Sequence, residues 1–147
     1  MNTKKYLQQA FYLNQLIETN KYELERLREL SVSVQSPNLT DDRVQTSAPT
    51  DKIGETVARI VDLEVVILSD IDRYVKTKKE IRKVLSGVKD DKLKLILQKR
   101  YLNFDKWEKI AEDMNLEVRW VYILHKDALK AVEKKKSSSS LNITIEV

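Results

Sequence analysis

His125 is the single histidine of the chain, and the sequence contains no cysteine. Most metal clusters and activated nucleophiles are built from these side chains, so a Cys/His metal site is excluded. The sequence also lacks a Gly-rich phosphate loop and an HExxH motif. Its carboxylates lie three or four positions from Lys or Arg, a spacing typical of solvated ion pairs on helices. We therefore predict a protein that is not an enzyme and that holds no metal or cofactor.

The basic side chains are the other groups whose distribution along the chain indicates a function. The formal net charge is +4, and residues 88–136 hold 13 Lys and Arg against 9 Asp and Glu. The rest of the chain is balanced, with 14 residues of each sign. A basic surplus on one module is what a phosphate-binding surface requires. The pattern fits a phosphate-binding surface, and a solvated helical face would often carry a similar surplus.

The elements that must position these groups are three helices within residues 91–133, the last two forming a helix-turn-helix. In the last helix, predicted from about Val118 to Lys134, helical spacing separates a buried face from an exposed one. The buried face contains Val121, Leu124, Ala128 and Val132. The exposed face contains Arg119, Trp120, Tyr122, Ile123, Lys126 and Lys130. We predict that this exposed face enters the major groove.

Each exposed residue has a chemistry of its own. Arg119 suits guanine or a phosphate, and Tyr122 suits a phosphate or a thymine methyl group. Lys126 and Lys130, with the lysines at 134–136, suit phosphates and make binding sensitive to salt. Two interpretations of His125 stay open: contact with a phosphate or a base, or a half-exposed helix residue without function. Trp120 and Ile123 also fit a core or a protein interface.

Turn and cap residues delimit this module. Asp90 or Asp91 is expected to cap the first helix, and Asp105 with Glu108 three residues on matches a capping box for the second. Asn115 lies where the turn needs left-handed backbone, which Asn tolerates better than most residues. The domain is therefore predicted to span residues 88–136. A flexible, serine-rich tail with a β-prone end is predicted at 137–147.

Residues 1–87 are predicted to form a long antiparallel helical hairpin. Helical periodicity covers 3–31 and 51–86, while 32–50 lacks it and is predicted to be a connecting loop. Gly87 is expected to follow the end of the second helix. The first helix has a coiled-coil-like seam that includes Asn20. This residue either fixes the register of helix pairing or lies on a partly solvent-exposed face of the helix. The stretch 60–68 is apolar on more than one face, which predicts a homo-oligomer or a docked partner.

Composition agrees with an all-α fold. Charged residues make up 34% of the chain, and there are only two glycines and two prolines. No apolar run is long enough to span a bilayer, and the first residues lack the apolar core of a signal peptide. We expect a cytoplasmic protein without membrane association.

Residues 100–132, RYLNFDKWEKIAEDMNLEVRWVYILHKDALKAV, resemble region 4 of bacterial sigma factors. They resemble more closely the sigma-like helix-turn-helix of phage late-operon regulators of the RinA and ArpU kind. The stretch 41–64, DDRVQTSAPTDKIGETVARIVDLE, is similar to a sequence segment that precedes this module in a phage and prophage family.

This resemblance implies a transcriptional regulator of late phage genes in a bacterial host, with promoter DNA and host RNA polymerase as partners. The DNA-reading surface of the family then falls on Val118, Arg119, Tyr122 and Ile123, with His125 and Lys126 behind. The chain departs from the family in having Glu117 where Ser or Thr usually caps the recognition helix. A rival hypothesis from another class is a phage assembly or scaffolding adaptor whose helices contact only proteins.

Overall fold

The computed structural model describes residues 2–35 and 48–145, and side chains within 2–33 and 52–136. Over these residues the fold is all-α, which confirms the predicted fold class. The helices are α1 (Thr3–Leu7), α2 (Gln9–Gln35), α3 (Ala48–Ser86), α4 (Asp91–Tyr101), α5 (Trp107–Asp113) and α6 (Val118–Ile145). The predicted loop at 32–50 is helical at both ends, and its central residues 36–47 lie outside the described residues. None of the described helices is long and apolar enough to cross a membrane.

The chain divides into two compact units. One unit combines the N-terminal residues as far as Tyr12 with the chain from Tyr74 onward, and the other is Leu13–Arg73. The predicted boundary at residue 87 therefore differs from the structural one, because the first turns of the chain and the last turns of α3 pack with α4 and α6. We call the two parts the helix-turn-helix unit and the hairpin unit.

The core of the helix-turn-helix unit has two clusters of buried side chains. The larger draws on α1, the start of α2, the end of α3, α4 and α6. It contains Leu7, Ala10, Ile81, Leu85, Val88, Leu97, Tyr101, Leu102, Ala128 and Val132. The smaller joins α4, α5 and α6 through Ile96, Ile110, Ala111 and Val121. Since full burial of a Leu, Ile or Val side chain contributes roughly 1.5–3 kcal/mol, these clusters fix α6 in place.

The hairpin unit pairs α2 with α3 in the antiparallel sense. Leu13, Ile17 and Leu24 are buried on one face of α2, and Ile67 is buried on α3. The guanidinium of Arg28 lies 2.9 Å from the carboxylate of Glu64. The spacing of the buried residues on α2 is that of the predicted seam. The seam is thus occupied by the second helix of the same chain.

A second face of α3 remains exposed in the hairpin unit. Val61, Val65 and Leu68 are 51%, 62% and 67% exposed, and Val57 and Ile71 continue the same stripe. These residues recur at steps of three or four, so they line one side of the helix. The prediction that this helix is apolar on more than one face is therefore confirmed.

Two local predictions about helix ends are wrong. Lys106, not Asp105, is the N-cap of α5, and no side-chain hydrogen bond caps it. Asp105 instead closes the turn after α4, where its backbone N–H donates to the carbonyl of Lys99 and its carboxylate pairs with Lys109 at 3.6 Å. The last helix was predicted to end near Lys134 but continues to Ile145. The sequence after Lys136 contains neither Gly nor Pro, the residues that most strongly stop a helix.

Candidate nucleic-acid interface

The turn between α5 and α6 sets the direction of the candidate recognition helix. Asn115 has a φ of 54°, so its backbone is left-handed as predicted. The N–H of Leu116 donates to the carbonyl of Ala111 at 2.9 Å, and the N–H of Asn115 donates to the carbonyl of Glu112 at 3.2 Å. This pair of bonds is the Schellman arrangement that ends a helix with a sharp change of direction. The polypeptide leaves α5 here and begins α6 three residues later.

Packing on α5 and α4 determines which face of α6 is exposed. Val121 is fully buried against Ile96, Ile110 and Ala111. Further along α6, Ala128 and Val132 are fully buried in the larger cluster. The predicted apolar face is therefore confirmed at these three positions, while Leu124 is only half-buried.

Five of the seven predicted DNA-binding residues lie on the exposed side of α6. Arg119, Tyr122, Ile123, Lys126 and Lys130 are all exposed, and Tyr122 and Ile123 are 48% and 42% accessible. Trp120 is 54% exposed beside them. Between 118 and 136 the helix has six Lys and Arg residues against Asp127 and Glu133. The exposed face of α6 is thus basic, with aromatic and aliphatic side chains interspersed.

Val118 and His125 do not belong to this exposed face, which corrects the prediction for both. Val118 is half-buried and packs against the smaller core cluster. His125 is only 8% exposed, because it lies on the same side of the helix as the buried Val121 and Val132. Neither side chain is part of the exposed face that the other five residues form.

Lys136 also has a different environment from the one predicted. Its ammonium group lies 3.8 Å from the centre of the Tyr6 ring, a cation–π contact between α6 and α1. Lys136 therefore packs on α1, at a position where the sequence predicted a phosphate contact.

His125 belongs to a buried polar contact with α4. The hydroxyl oxygen of Tyr101 lies 2.6 Å from Nε2 of His125. Burial, together with the positive charges of Lys4 and Arg100, lowers the pKa of His125 to about 4. Burial also raises the pKa of Tyr101 to about 12, against a smaller opposite effect of Arg100. Both side chains are therefore neutral near pH 7, and they connect α4 to α6 without adding charge.

Trp107 positions Tyr122, a relationship that the sequence pattern did not reveal. The rings of Trp107 and Tyr122 meet edge to face, with centroids 5.3 Å apart. On α4, the guanidinium of Arg100 lies 4.4 Å from the centre of the Trp107 ring and donates to the carbonyl oxygen of Asp105 at 3.0 Å. Trp107 itself is half-buried. It limits the positions available to the half-exposed phenol of Tyr122.

α1 contributes one residue to the surroundings of the candidate recognition helix. A groove of about 380 Å³ runs along the start of α6. Its lining residues are Lys4, Tyr122, Ile123, His125, Lys126 and Leu129. Lys4 is more than a hundred positions from the others in sequence, and no spacing rule connects it to them. Only the packing of α1 on α6 brings it there.

Comparisons with known proteins supply no relative. No family model, no curated protein and no solved structure matches this chain. Within the described residues, no three His, Cys, Asp or Glu side chains lie close enough together to hold a metal ion.

Proposed function

We propose that this protein is a sequence-specific DNA-binding regulator of transcription that acts on phage late genes. The observation that carries the proposal is the basic exposed face of α6, which directly follows the sharp turn at Asn115. Arg119, Lys126 and Lys130 lie on that face, while Val121, Ala128 and Val132 anchor the other side. The assignment to phage late transcription, with host RNA polymerase as a second partner, rests on the resemblance of residues 100–132 and 41–64.

The geometry supports different DNA contacts for residues at different positions along α6. A helix is about 10–12 Å wide with its side chains and fits the major groove, which is about 12 Å wide. Arg119, in the first turn, is suited to a bidentate contact with guanine. Tyr122 is held by Trp107 and is suited to a thymine methyl group. Lys126 and Lys130 follow one and two turns later, where a helix that crosses the groove meets the phosphate backbone.

Self-association through α3 forms the second part of the proposal. The exposed stripe of Val57, Val61, Val65, Leu68 and Ile71 covers about 21 Å of helix at 1.5 Å per residue. Contiguous apolar patches of a few hundred Å² are typical of interaction sites. A second copy of the chain is the one partner certain to present a stripe of the same length and spacing. A dimer also suits a regulator that reads two half-sites.

The self-association is testable by light scattering. Val61→Ser combined with Leu68→Ser is expected to reduce the solution mass to that of a single chain. Tyr22→Ser, at an exposed aromatic residue on α2, serves as the control and should leave the mass unchanged. A monomeric wild-type protein would overturn this part of the proposal.

A protein-only adaptor is the second candidate function. The observation that favours it is the exposure of Trp120 and Ile123 beside the basic residues of α6. Large apolar side chains are enriched at the centres of protein interfaces. In this alternative the same face of α6 binds a protein, and the basic residues form its rim.

Selection of binding sites from a random DNA pool separates the two candidates. The full-length protein is expected to enrich a common sequence over successive rounds. Arg119→Ala combined with Lys126→Ala should abolish the enrichment. Lys21→Ala combined with Arg26→Ala, which removes the same charge from exposed positions on α2, should not. Failure of the wild-type protein to retain DNA even at low salt would support the adaptor.

A further inference from the structure

α1 is held beside α6 by buried side chains, an N-cap and a cation–π contact. Leu7 is fully buried in the larger core cluster, and Thr3 is buried at the other end of the helix. The side chain of Asn2 accepts a hydrogen bond from the backbone N–H of Lys4 and caps the helix. The ring of Tyr6 lies under the ammonium group of Lys136. The backbone at Lys4 is therefore held in a defined position beside α6.

The groove between Lys4 and α6 has an electrostatic character that favours an anion. Lys4 and Lys126 contribute two ammonium groups, and none of the lining residues is a carboxylate. His125 adds no compensating negative charge, and Lys4 acts on its ring as a positive neighbour. Tyr122 and Ile123, two residues of the proposed DNA-reading face, line the same groove. An anion bound here would lie directly beside the bases that those residues contact.

We propose that Lys4 binds a DNA backbone phosphate together with Lys126, so that α1 forms part of the DNA interface. This inference rests on the proposed DNA-binding function and adds to it a contact from the opposite end of the chain. A duplex that receives α6 in its major groove carries a phosphate strand along each edge of that groove. The groove beside α6 accommodates one of these strands. α1 then fixes the orientation of the recognition helix on the duplex.

The adjacent Lys5 provides a matched control. Lys5 is exposed on the same short helix and has the same charge, but it does not line the groove. Lys4→Ala, Lys4→Arg and Lys5→Ala are compared in the full-length chain. The probe is a fluorescein-labelled duplex of random sequence, and its dissociation constant is measured by anisotropy over a series of salt concentrations.

Lys4→Ala is expected to weaken DNA binding by roughly 3- to 10-fold near 0.1 M salt. It should also reduce the magnitude of the slope of log K against log salt by about 0.9, the value for one phosphate contact. Lys4→Arg should restore the slope, and Lys5→Ala should leave it unchanged. Equal slopes for Lys4→Ala and wild type overturn the inference, as do equal losses in Lys4→Ala and Lys5→Ala. In either case a loss of binding in Arg119→Ala/Lys126→Ala would leave the proposed function standing. Absence of binding by the wild-type protein would overturn both.

Discussion

The hydroxyl group of Tyr101 and the imidazole of His125 form a buried hydrogen bond of 2.6 Å between α4 and α6. The two rings are also stacked, with centroids 5.7 Å apart, and Trp107 of α5 meets the imidazole edge to face at 4.6 Å. The contact thus joins all three helices of the helix-turn-helix. It gives His125 a structural role in the orientation of α6, in place of the DNA contact that was one of its two predicted interpretations.

Tyr101→Phe tests this structural role. The substitution removes the hydroxyl group and leaves Nε2 of His125 buried without that partner, which typically costs about 1–3 kcal/mol. We expect the free energy of unfolding in urea to fall by that amount. Tyr22→Phe, at an exposed position on α2, is the control and should change stability by less than about 0.5 kcal/mol. Equal effects of the two substitutions would contradict a stabilising hydrogen bond.

The lowered pKa of His125 predicts a dependence of stability on pH. Burial, with Lys4 and Arg100, lowers this pKa from 6.5 to about 4, so the folded state favours the neutral ring. The resulting stabilisation is fully present above pH 6.5 and is lost as the pH falls toward 4. Each unit of pKa difference between the folded and unfolded states represents ~1.4 kcal/mol, and solvent screening reduces this figure. The stabilisation is therefore on the order of 2 kcal/mol.

Comparison of wild type with His125→Gln isolates this effect from the protonation of carboxylates, which both proteins share. The difference between their free energies of unfolding should change by more than ~1 kcal/mol, to the disadvantage of the wild type, between neutral pH and about pH 4.5. A difference that stays constant over this range would show that His125 titrates alike in the folded and unfolded states.

Asn115 offers a test of the turn before the recognition helix. Its φ of 54° costs a residue with a Cβ atom about 1–2 kcal/mol, less for Asn and least for Gly. Asn115→Gly should therefore preserve the melting temperature, while Asn115→Ala should lower stability by about 1 kcal/mol. The pair is measured by thermal unfolding. Equal stability of the Gly and Ala variants would argue against a left-handed turn.

A substitution at Asn20 tests whether the seam on α2 packs against α3 of the same chain or against a second chain. Asn20 is half-buried on α2 beside Ile17 and Leu24, which face the second helix of the same chain. Asn20→Leu should raise the free energy of unfolding by about 1 kcal/mol, because it replaces a polar seam residue with an apolar one. The solution mass should not change. A shift in mass would assign Asn20 to the contact between chains.

Short-range sequence patterns predicted the structural features that depend on residues close together in the chain. Helical spacing identified Val121, Ala128 and Val132 as buried, and the need for left-handed backbone identified Asn115. Asp90 caps α4 as expected, its carboxylate accepting from the backbone N–H groups of Lys92 and Leu93. These features depend on residues only a few positions apart, so their spacing in the sequence reports on them directly.

Features that depend on distant packing were not predictable in the same way. His125 lies on the buried side of α6 with Val121 and Val132, but spacing along the helix does not show that Tyr101 of α4 supplies its hydrogen-bond partner. Lys4 joins the groove beside α6 because α1 packs there, more than a hundred residues away in sequence. The capping box at Asp105 matched its pattern but failed, because the turn after α4 uses the same residue.

The salt dependence of DNA binding tests the central claim most directly. For the full-length protein on a duplex of random sequence, log K should fall linearly with log salt, with a slope of about −0.9 for each phosphate contact. Arg119→Ala combined with Lys126→Ala should weaken binding at least ~10-fold and reduce the slope by about 1 to 2, with unchanged helical circular dichroism. A folded double variant with the affinity and slope of the wild type would contradict the assignment of α6 as the DNA-binding helix.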